Sequence, residues 1–191
     1  VLSGLAGVDI TDLDIQYGGM IGGYDCGVLT LSVLKGLLGN RVEDAVSYVN
    51  APAIAERVGL QVNATSSTSA DFHSLVTLRT TVDGVTSEVS GTLVGEKELP
   101  RIVGINGHLV DVAPYAHLLV VANDDRPGMI GLVGTVLGNE GVNIADMTVG
   151  RDPQGSTALM IVSSDAQVPA QVVAQLQSSA GILWVRAIDL D

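Results

Sequence analysis

The sequence contains almost no cysteine, and this excludes several kinds of site. Cys26 is the only cysteine among 191 residues. One thiol cannot form an intrachain disulfide, and it cannot by itself hold a zinc ion or an iron–sulfur cluster. The three histidines, His73, His108 and His117, are isolated from one another in the sequence. We therefore predict no metal site in this chain.

Basic residues are also scarce. The chain carries 9 Lys and Arg residues against 21 Asp and Glu residues, a formal net charge of -12. No local cluster of Lys and Arg offsets this charge. Such a field repels nucleic acids and anionic lipids, so we expect neither as a partner.

The sequence lacks long hydrophobic runs. Its longest apolar stretches, such as 118–122, have the length of a strand and are too short to cross a bilayer. The first ten residues, VLSGLAGVDI, lack the basic start of a secretory signal. They also lack an initiating Met and read like the middle of a protein. We expect a cytoplasmic protein, of which this chain is a C-terminal piece.

Aromatic residues make up only 3% of the chain, whereas hydrophobic residues make up 47%. The core must therefore consist of aliphatic side chains, which is typical of buried sheets and packed helices. The pattern divides the chain into an α+β part with antiparallel pairing, residues 1–113, and a second part, residues 114–191. The segment 113–116, APYA, is the expected hinge between them.

Helix and turn signals define the first part. Apolar residues at helical spacing predict a helix over 26–39. A second helix is predicted over 49–59, with Asn50 as its cap and Gly59 after its last residue.

Two dipeptides in the first part predict β-hairpins. Asp83-Gly84 and Asn106-Gly107 each lie between segments of strand character. Asn-Gly and Asp-Gly are the pairs that tight hairpin turns favour. We therefore predict that the strands on either side of each pair are hydrogen-bonded neighbours.

The second part reads as β-α-β-β-α-β, the ferredoxin-like arrangement. Its first helix is predicted over 127–140, with Asp125 as the N-cap and Gly141 just past the end. Two helices cover one face of such a sheet, while the other face and the edge strands need a partner. Pairing of two copies through an edge strand is the expected result.

The sequence shows no catalytic or nucleotide-binding motif. The glycine-rich stretch GGMIGG (18–23) lacks the G-x-G-x-x-G spacing, and no Walker-type G-K-[ST] follows a strand. The serines are scattered without a G-x-S-x-G, and Cys26 has no histidine near it in sequence. We predict no catalytic residue and no cofactor site in this chain.

The segment NDDRPGMIGLVGTVLGNEGVNI (123–144) contains the most informative pattern. The turn before the first helix presents free N–H groups, which together with the helix dipole favour a carboxylate. Asp125 adds a negative charge that suits an ammonium group, and Asn143 offers an amide donor and acceptor. Such a pocket suits an amino acid. The alternative is that Asp125 is only a helix cap, worth about 1 kcal/mol.

These residues resemble a known family. DRPGMIGLVGTVLGNEGVNIADMTVGR looks like the first half of an ACT domain, the small-ligand regulatory module of amino-acid metabolism. YDCGVLTLSVLKGLLG, VSYVNAPAIAERVGL and VSGTLVGEKELPRIVGINGHLVDV resemble the intervening domain of long-form D-3-phosphoglycerate dehydrogenases. The resemblance covers essentially the whole chain. It implies an intervening domain over 1–113, an ACT domain over 114–191, and NAD-binding catalytic domains upstream.

The resemblance also implies a site and a partner. In this family ACT domains pair edge to edge, and L-serine binds at the junction as a feedback inhibitor. Carried onto this sequence, serine would contact Asn123, Asp125 and the N–H groups near Pro127 and Gly128. Asn143 would come from the partner chain of a homo-oligomer.

Some relatives also bind phosphate or a phosphorylated substrate in the intervening domain, and Arg101 falls on one such basic position. The alternative for Arg101 is a solvated strand residue. Two other functions stay open for the whole chain. One is an oligomerisation element without a working effector site. The other is a subunit of an iron–sulfur serine dehydratase, which would need a partner carrying the cluster.

Overall fold

A computed structural model describes residues 1–39, 41–152 and 155–190. The sequence DPQG at 152–155 also predicts a turn, and this turn lies partly outside the described residues. Among the described helices, none is long and apolar enough to cross a bilayer.

In its described residues, the first part of the chain contains three helices, one 3₁₀ turn and six strands. They are α1 (Leu2–Ala6), β1 (Asp12–Gly19), the 3₁₀ turn (Met20–Gly23), α2 (Gly27–Leu38), α3 (Ala51–Arg57), β2 (Gln61–Ser67), β3 (Ser74–Val82), β4 (Val85–Val94), β5 (Leu99–Ile105) and β6 (His108–Val112). The second part contains β7 (His117–Asp124), α4 (Met129–Asn139), β8 (Ile144–Arg151), β9 (Thr157–Ser164), α5 (Ala170–Gln177) and β10 (Ile182–Asp189). The α+β class is confirmed.

The six strands of the first part form one sheet in the order β2-β1-β3-β4-β5-β6. Pairing is antiparallel from β1 to β6, as predicted. The prediction was wrong for β2, which runs parallel to β1. The chain passes through α2 and α3 between these strands, and such a crossover returns it to the sheet in the same direction.

Both predicted hairpins are confirmed. Asp83 and Gly84 have φ angles of 51° and 78°, and Asn106 and Gly107 have 48° and 80°. Positive φ at both central residues defines the type I′ turn, whose twist matches that of the strands it joins. The turns fix the registers of β3 with β4 and of β5 with β6.

The signals of α3 are confirmed only in part. Gly59 has a φ of 72° and follows the helix as predicted, and Leu60 N–H donates to Ala55 O at 2.9 Å. Asn50 occupies the N-cap position, but its side chain makes no capping hydrogen bond. Its Oδ1 instead accepts from Ser47 N–H at 2.7 Å, and this local turn competes for the side chain.

The second sheet has the order β10-β7-β9-β8, and all of its pairs are antiparallel. This is the predicted ferredoxin-like β-α-β-β-α-β arrangement. Helices α4 and α5 cover one face, where a buried aliphatic cluster joins them to the strands. Its central members are Leu119, Val121, Val133, Leu137, Met160, Val172 and Leu176.

The opposite face of the second sheet is covered by the first part of the chain. Leu118, Val120 and Ile161 belong to the same buried cluster as Leu2 and Val112. Helix α1, which the sequence did not predict, lies against β10 so closely that a Cβ on Gly4 would be 2.8 Å from Ile188 Cγ1. The face that was expected to need a partner therefore has one within the chain.

Strand β8 also contacts the first sheet directly. Gly150 is buried, and a Cβ at this position would lie 2.5 Å from the backbone oxygen of Leu109 on β6. Two residues earlier, Thr148 Oγ1 donates to Asp111 O at 3.2 Å. The linker 113–116 therefore does not separate two unconnected bodies, and its role as a hinge stays a prediction.

Candidate functional site

The first helix in the second part of the chain begins later than the sequence predicted. Helix α4 starts at Met129, and Gly128 is its N-cap with a φ of 94°. Asp125 is therefore three residues before the cap, and the prediction that it caps the helix was wrong. The physical reason is the Pro127-Gly128 pair, because proline restricts the residue before it and glycine readily adopts the left-handed turn.

Among the side chains that the structure describes, none caps the start of α4. The first N–H groups of any α-helix lack acceptors within the helix, and here they belong to Met129, Ile130 and Gly131. The helix dipole adds positive potential at the same point. The start of α4 can therefore donate hydrogen bonds to an anionic group such as a carboxylate. Gly141 ends the helix as predicted, with a φ of 71°.

A cavity of about 350 Å³ lies between the start of α4 and strand β8. It brings together four of the residues predicted from sequence: Asn123, Asp125, Pro127 and Gly128. From β8 it is lined by Val149 and Arg151. The alternation of side chains along β8 directs these two residues to the helix side of the sheet and Gly150 to the other.

Asn123 provides the clearest sign of a binding function. It is only 2% exposed, and its Nδ2 donates to the backbone oxygen of Asp124 at 2.6 Å. Its Oδ1 is buried and accepts no hydrogen bond within the described chain. An unsatisfied buried acceptor costs about 1–3 kcal/mol, and a ligand that donates to it removes that cost.

Asp125 and Arg151 face each other across the cavity. Their closest atoms, Asp125 Oδ2 and Arg151 Nε, are 3.3 Å apart. The Asp125 side chain is 20% exposed and that of Arg151 is 74% exposed. Arg151 ends the ACT-like sequence motif, but no role was predicted for it from the sequence. Its position at the end of β8, opposite the predicted helix start, was the available signal.

Asn143 lies outside this cavity in the same chain. It comes just before β8, where its Nδ2 donates to Asp165 Oδ2 at 2.5 Å. Eight residues separate it from Arg151, and at the rise of an extended strand this is a distance of about 26 Å. Asn143 can therefore reach such a cavity only in another copy of the chain, so its contribution from a partner stays a prediction.

Arg101, the candidate anion ligand of the first part, has its own counter-charge. Its Nε donates to Asp111 Oδ1 at 2.5 Å, and its Nη2 donates to Asp111 O at 3.0 Å. An anion would have to compete with this bidentate contact. Within the described ranges, His, Cys, Asp and Glu side chains form no group of three or more able to hold a metal ion.

Comparison of the sequence with known protein families gives two matches. A family model described as the D-3-phosphoglycerate dehydrogenase intervening domain matches residues 2–106. A second, described as the ACT domain, matches residues 117–181. The ACT domain is a regulatory module, so the cavity lies in a regulatory part of the chain.

Individual proteins similar to this chain are also named D-3-phosphoglycerate dehydrogenase. The D-3-phosphoglycerate dehydrogenase of Bacillus subtilis (strain 168) is 35% identical over 185 residues, which are 95% of this chain and 34% of that protein. The D-3-phosphoglycerate dehydrogenase of Mycobacterium bovis is 34% identical over 193 residues, covering 100% of this chain and 37% of that protein. The chain thus spans about a third of the length of these curated relatives.

Proposed function

This chain belongs to the D-3-phosphoglycerate dehydrogenase family, and we propose that it forms the regulatory region of such an enzyme, with L-serine as its effector. The dehydrogenase reaction and the NAD it uses belong to upstream domains in this proposal. The chain itself binds the end product of the pathway and transmits its presence. The cytoplasm is the proposed location, because that is where serine is made.

The observation that carries the proposal is the unsatisfied, buried Oδ1 of Asn123 beside the carboxylate of Asp125. Two acceptors in the same cavity suit an ammonium group, which donates three hydrogen bonds. The uncapped start of α4 and the guanidinium of Arg151, which also line this cavity, suit a carboxylate. Together they match the backbone of an α-amino acid.

The second half of the site is proposed to come from a partner copy. Strand β8 is at the edge of its sheet, so one side of its backbone is open to another strand. Antiparallel pairing with β8 of a second copy, centred on Met147, brings the partner's Asn143 opposite Arg151. The partner's amide would then face the cavity that holds Asn123 and Asp125.

One observation favours a different function, oligomerisation without an effector. The cavity mouth is already occupied by the Asp125–Arg151 ion pair, which satisfies both charges in part. Under this alternative the second sheet only joins copies of the enzyme. The match of residues 2–106 to a dehydrogenase intervening domain argues against the iron–sulfur serine dehydratase that the sequence left open.

Calorimetry with L-serine, combined with light scattering, tests the proposal. We expect one serine site per chain, with D-serine and L-alanine binding more weakly. A chain that forms dimers or larger oligomers but gives no heat with L-serine, glycine or any other amino acid would instead support the oligomerisation element. A monomer at all concentrations would contradict the shared site.

A further inference from the structure

Asn143 and Asp165 form a closed pair beside the open edge of the second sheet. Asn143 Nδ2 donates to Asp165 Oδ2 at 2.5 Å, and Asp165 N–H donates back to Asn143 O at 3.4 Å. Ile144 and Ser164, the next residues on each side, are paired in the ladder of β8 with β9. The pair is therefore tied to the sheet by its backbone as well as by its side chains.

The chemistry of this contact determines how the amide is turned. An ionised carboxylate has no hydrogen to donate, so only the NH₂ group of Asn143 can bond to Asp165. The amide oxygen must then point away from Asp165. A free asparagine at this position could present either end of its amide to a neighbouring ligand, whereas this one presents an acceptor.

We propose that Asp165 is a positioning residue of the effector site, holding Asn143 so that its amide oxygen faces a ligand bound in the partner's cavity. The inference rests on the proposed function, because it requires that Asn143 reaches the cavity of a second copy. It assigns a role to Asp165 and explains why an acid stands at this point.

The consequence is a selection for ligands that carry an ammonium group. Asn123 Oδ1 and the Asp125 carboxylate already supply two acceptors in the cavity. The partner's Asn143 Oδ1 supplies a third, which equals the number of N–H donors on an α-ammonium group. If the amide were reversed, its NH₂ group would instead repel the ammonium.

The test compares two matched variants of the whole chain. Asp165→Asn removes the carboxylate with almost no change in size and lets the Asn143 amide turn either way. Glu140→Gln is the control, since Glu140 Oε2 likewise accepts an exposed hydrogen bond from the amide of Gln171, at 2.7 Å. For each variant, calorimetry gives the affinity for L-serine, and competition gives that for L-glycerate, which has a hydroxyl in place of the ammonium.

We expect Asp165→Asn to weaken L-serine binding about tenfold, because one hydrogen bond to the charged ammonium group is weakened or lost. The affinity for L-glycerate, which has no ammonium group, should stay the same. Nuclear magnetic resonance should show the Asn143 side-chain NH₂ signals, assigned by their loss in Asn143→Asp, moving in Asp165→Asn. Glu140→Gln should leave the affinities and these signals unchanged.

Three results would overturn the inference. Unchanged serine affinity in Asp165→Asn would show that the orientation of the amide does not matter. An equal loss for serine and glycerate would show a general structural role. If the unsubstituted chain binds no serine at all, the proposed function fails and the inference fails with it, and this outcome is distinguishable from the other two.

Discussion

The guanidinium Nε of Arg151 lies 3.3 Å from the carboxylate Oδ2 of Asp125, across the mouth of the cavity. Because the Arg151 side chain is largely exposed, the pair contributes little to stability, about 0–1 kcal/mol. A zwitterion can separate the two charges at small cost and offer each a better partner. Because a zwitterion carries no net charge, its binding leaves the net charge of the cavity unchanged.

Replacing Asp125 by asparagine should weaken L-serine binding by about ten- to a hundredfold. The carboxylate would be lost as a partner for the ammonium, and hydrogen bonds to charged groups contribute about 1.5–3 kcal/mol. Calorimetry checks the affinity. Asp124→Asn is the control, since its half-exposed side chain carries the same charge one residue away and does not line the cavity. Equal losses in both variants would point to a field effect of charge rather than to contact.

Replacing Arg151 by glutamine should weaken L-serine binding about tenfold and reduce its dependence on salt. The substitution removes an exposed cation near the ligand's carboxylate, and exposed charges are screened by added ions. The measurement is the serine affinity at low and high salt concentration. Arg79→Gln removes an exposed arginine paired with Glu88 in the first sheet, and it should leave both the affinity and its salt dependence unchanged.

Gly150→Ala should destabilise the fold by about 2 kcal/mol. The new Cβ would lie 2.5 Å from Leu109 O, and overpacking a tight contact costs about 1–3 kcal/mol. Gly134→Ala is the matched opposite, because nothing lies within 4 Å of a Cβ at that position of α4. It should stabilise the chain by about 0.5–1 kcal/mol through helix propensity. Thermal unfolding of both variants measures the difference, and a stabilised Gly150→Ala would contradict the close packing of β8 on β6.

Tyr17→Phe should change how stability depends on pH at the alkaline end. Tyr17 is 1% exposed, and this burial raises the pKa of its phenol above the ordinary value of 10.0, although a hydrogen bond with Thr30 opposes the shift. The unfolded chain therefore releases this proton first, so Tyr17 favours unfolding as pH rises through 10 and beyond. The unfolding free energy of the unsubstituted protein should fall in that range.

In Tyr17→Phe this decline should be shallower. Denaturant titrations from pH 8 to 11 measure it, and Tyr24→Phe is the control, since Tyr24 is 69% exposed. Identical slopes in all three proteins would mean that the buried phenol does not titrate differently in the two states.

The parts of the fold that the sequence predicted well are those fixed by local chemistry. Asp83-Gly84 and Asn106-Gly107 can form tight turns almost whatever surrounds them, so the two hairpins followed directly. The prediction of antiparallel pairing was wrong for β2, because the direction of this strand depends on how α2 and α3 cross the sheet. No local sequence pattern indicates the path of that crossover. Helix α1 was missed because its five residues are too few for a periodic pattern, and tertiary packing on Ile188 stabilises it.

In the candidate site, too, the features set by local sequence were predicted and those set by tertiary structure were not. The residues at the start of α4 could be grouped from sequence because they are consecutive. Arg151 enters the cavity from another strand, and which face of β8 it occupies depends on the pairing with β9. That pairing contains a bulge between Ile144 and Asp146, which reverses the alternation at one end of the strand. The face of the sheet on which Arg151 lies could therefore not be predicted by counting alternate residues in the sequence.

Strand β8 contributes to two structures with alternate residues. Val149 and Arg151 line the cavity, while Thr148 and Gly150 lie against β6. Among relatives, substitutions at 149 and 151 should therefore follow changes of effector, and those at 148 and 150 should follow changes in His108, Leu109 and Asp111. Alternate positions of one short strand would thus diverge for different reasons. A shift of the strand register by a single residue would exchange the residues that line the cavity with those that pack against β6.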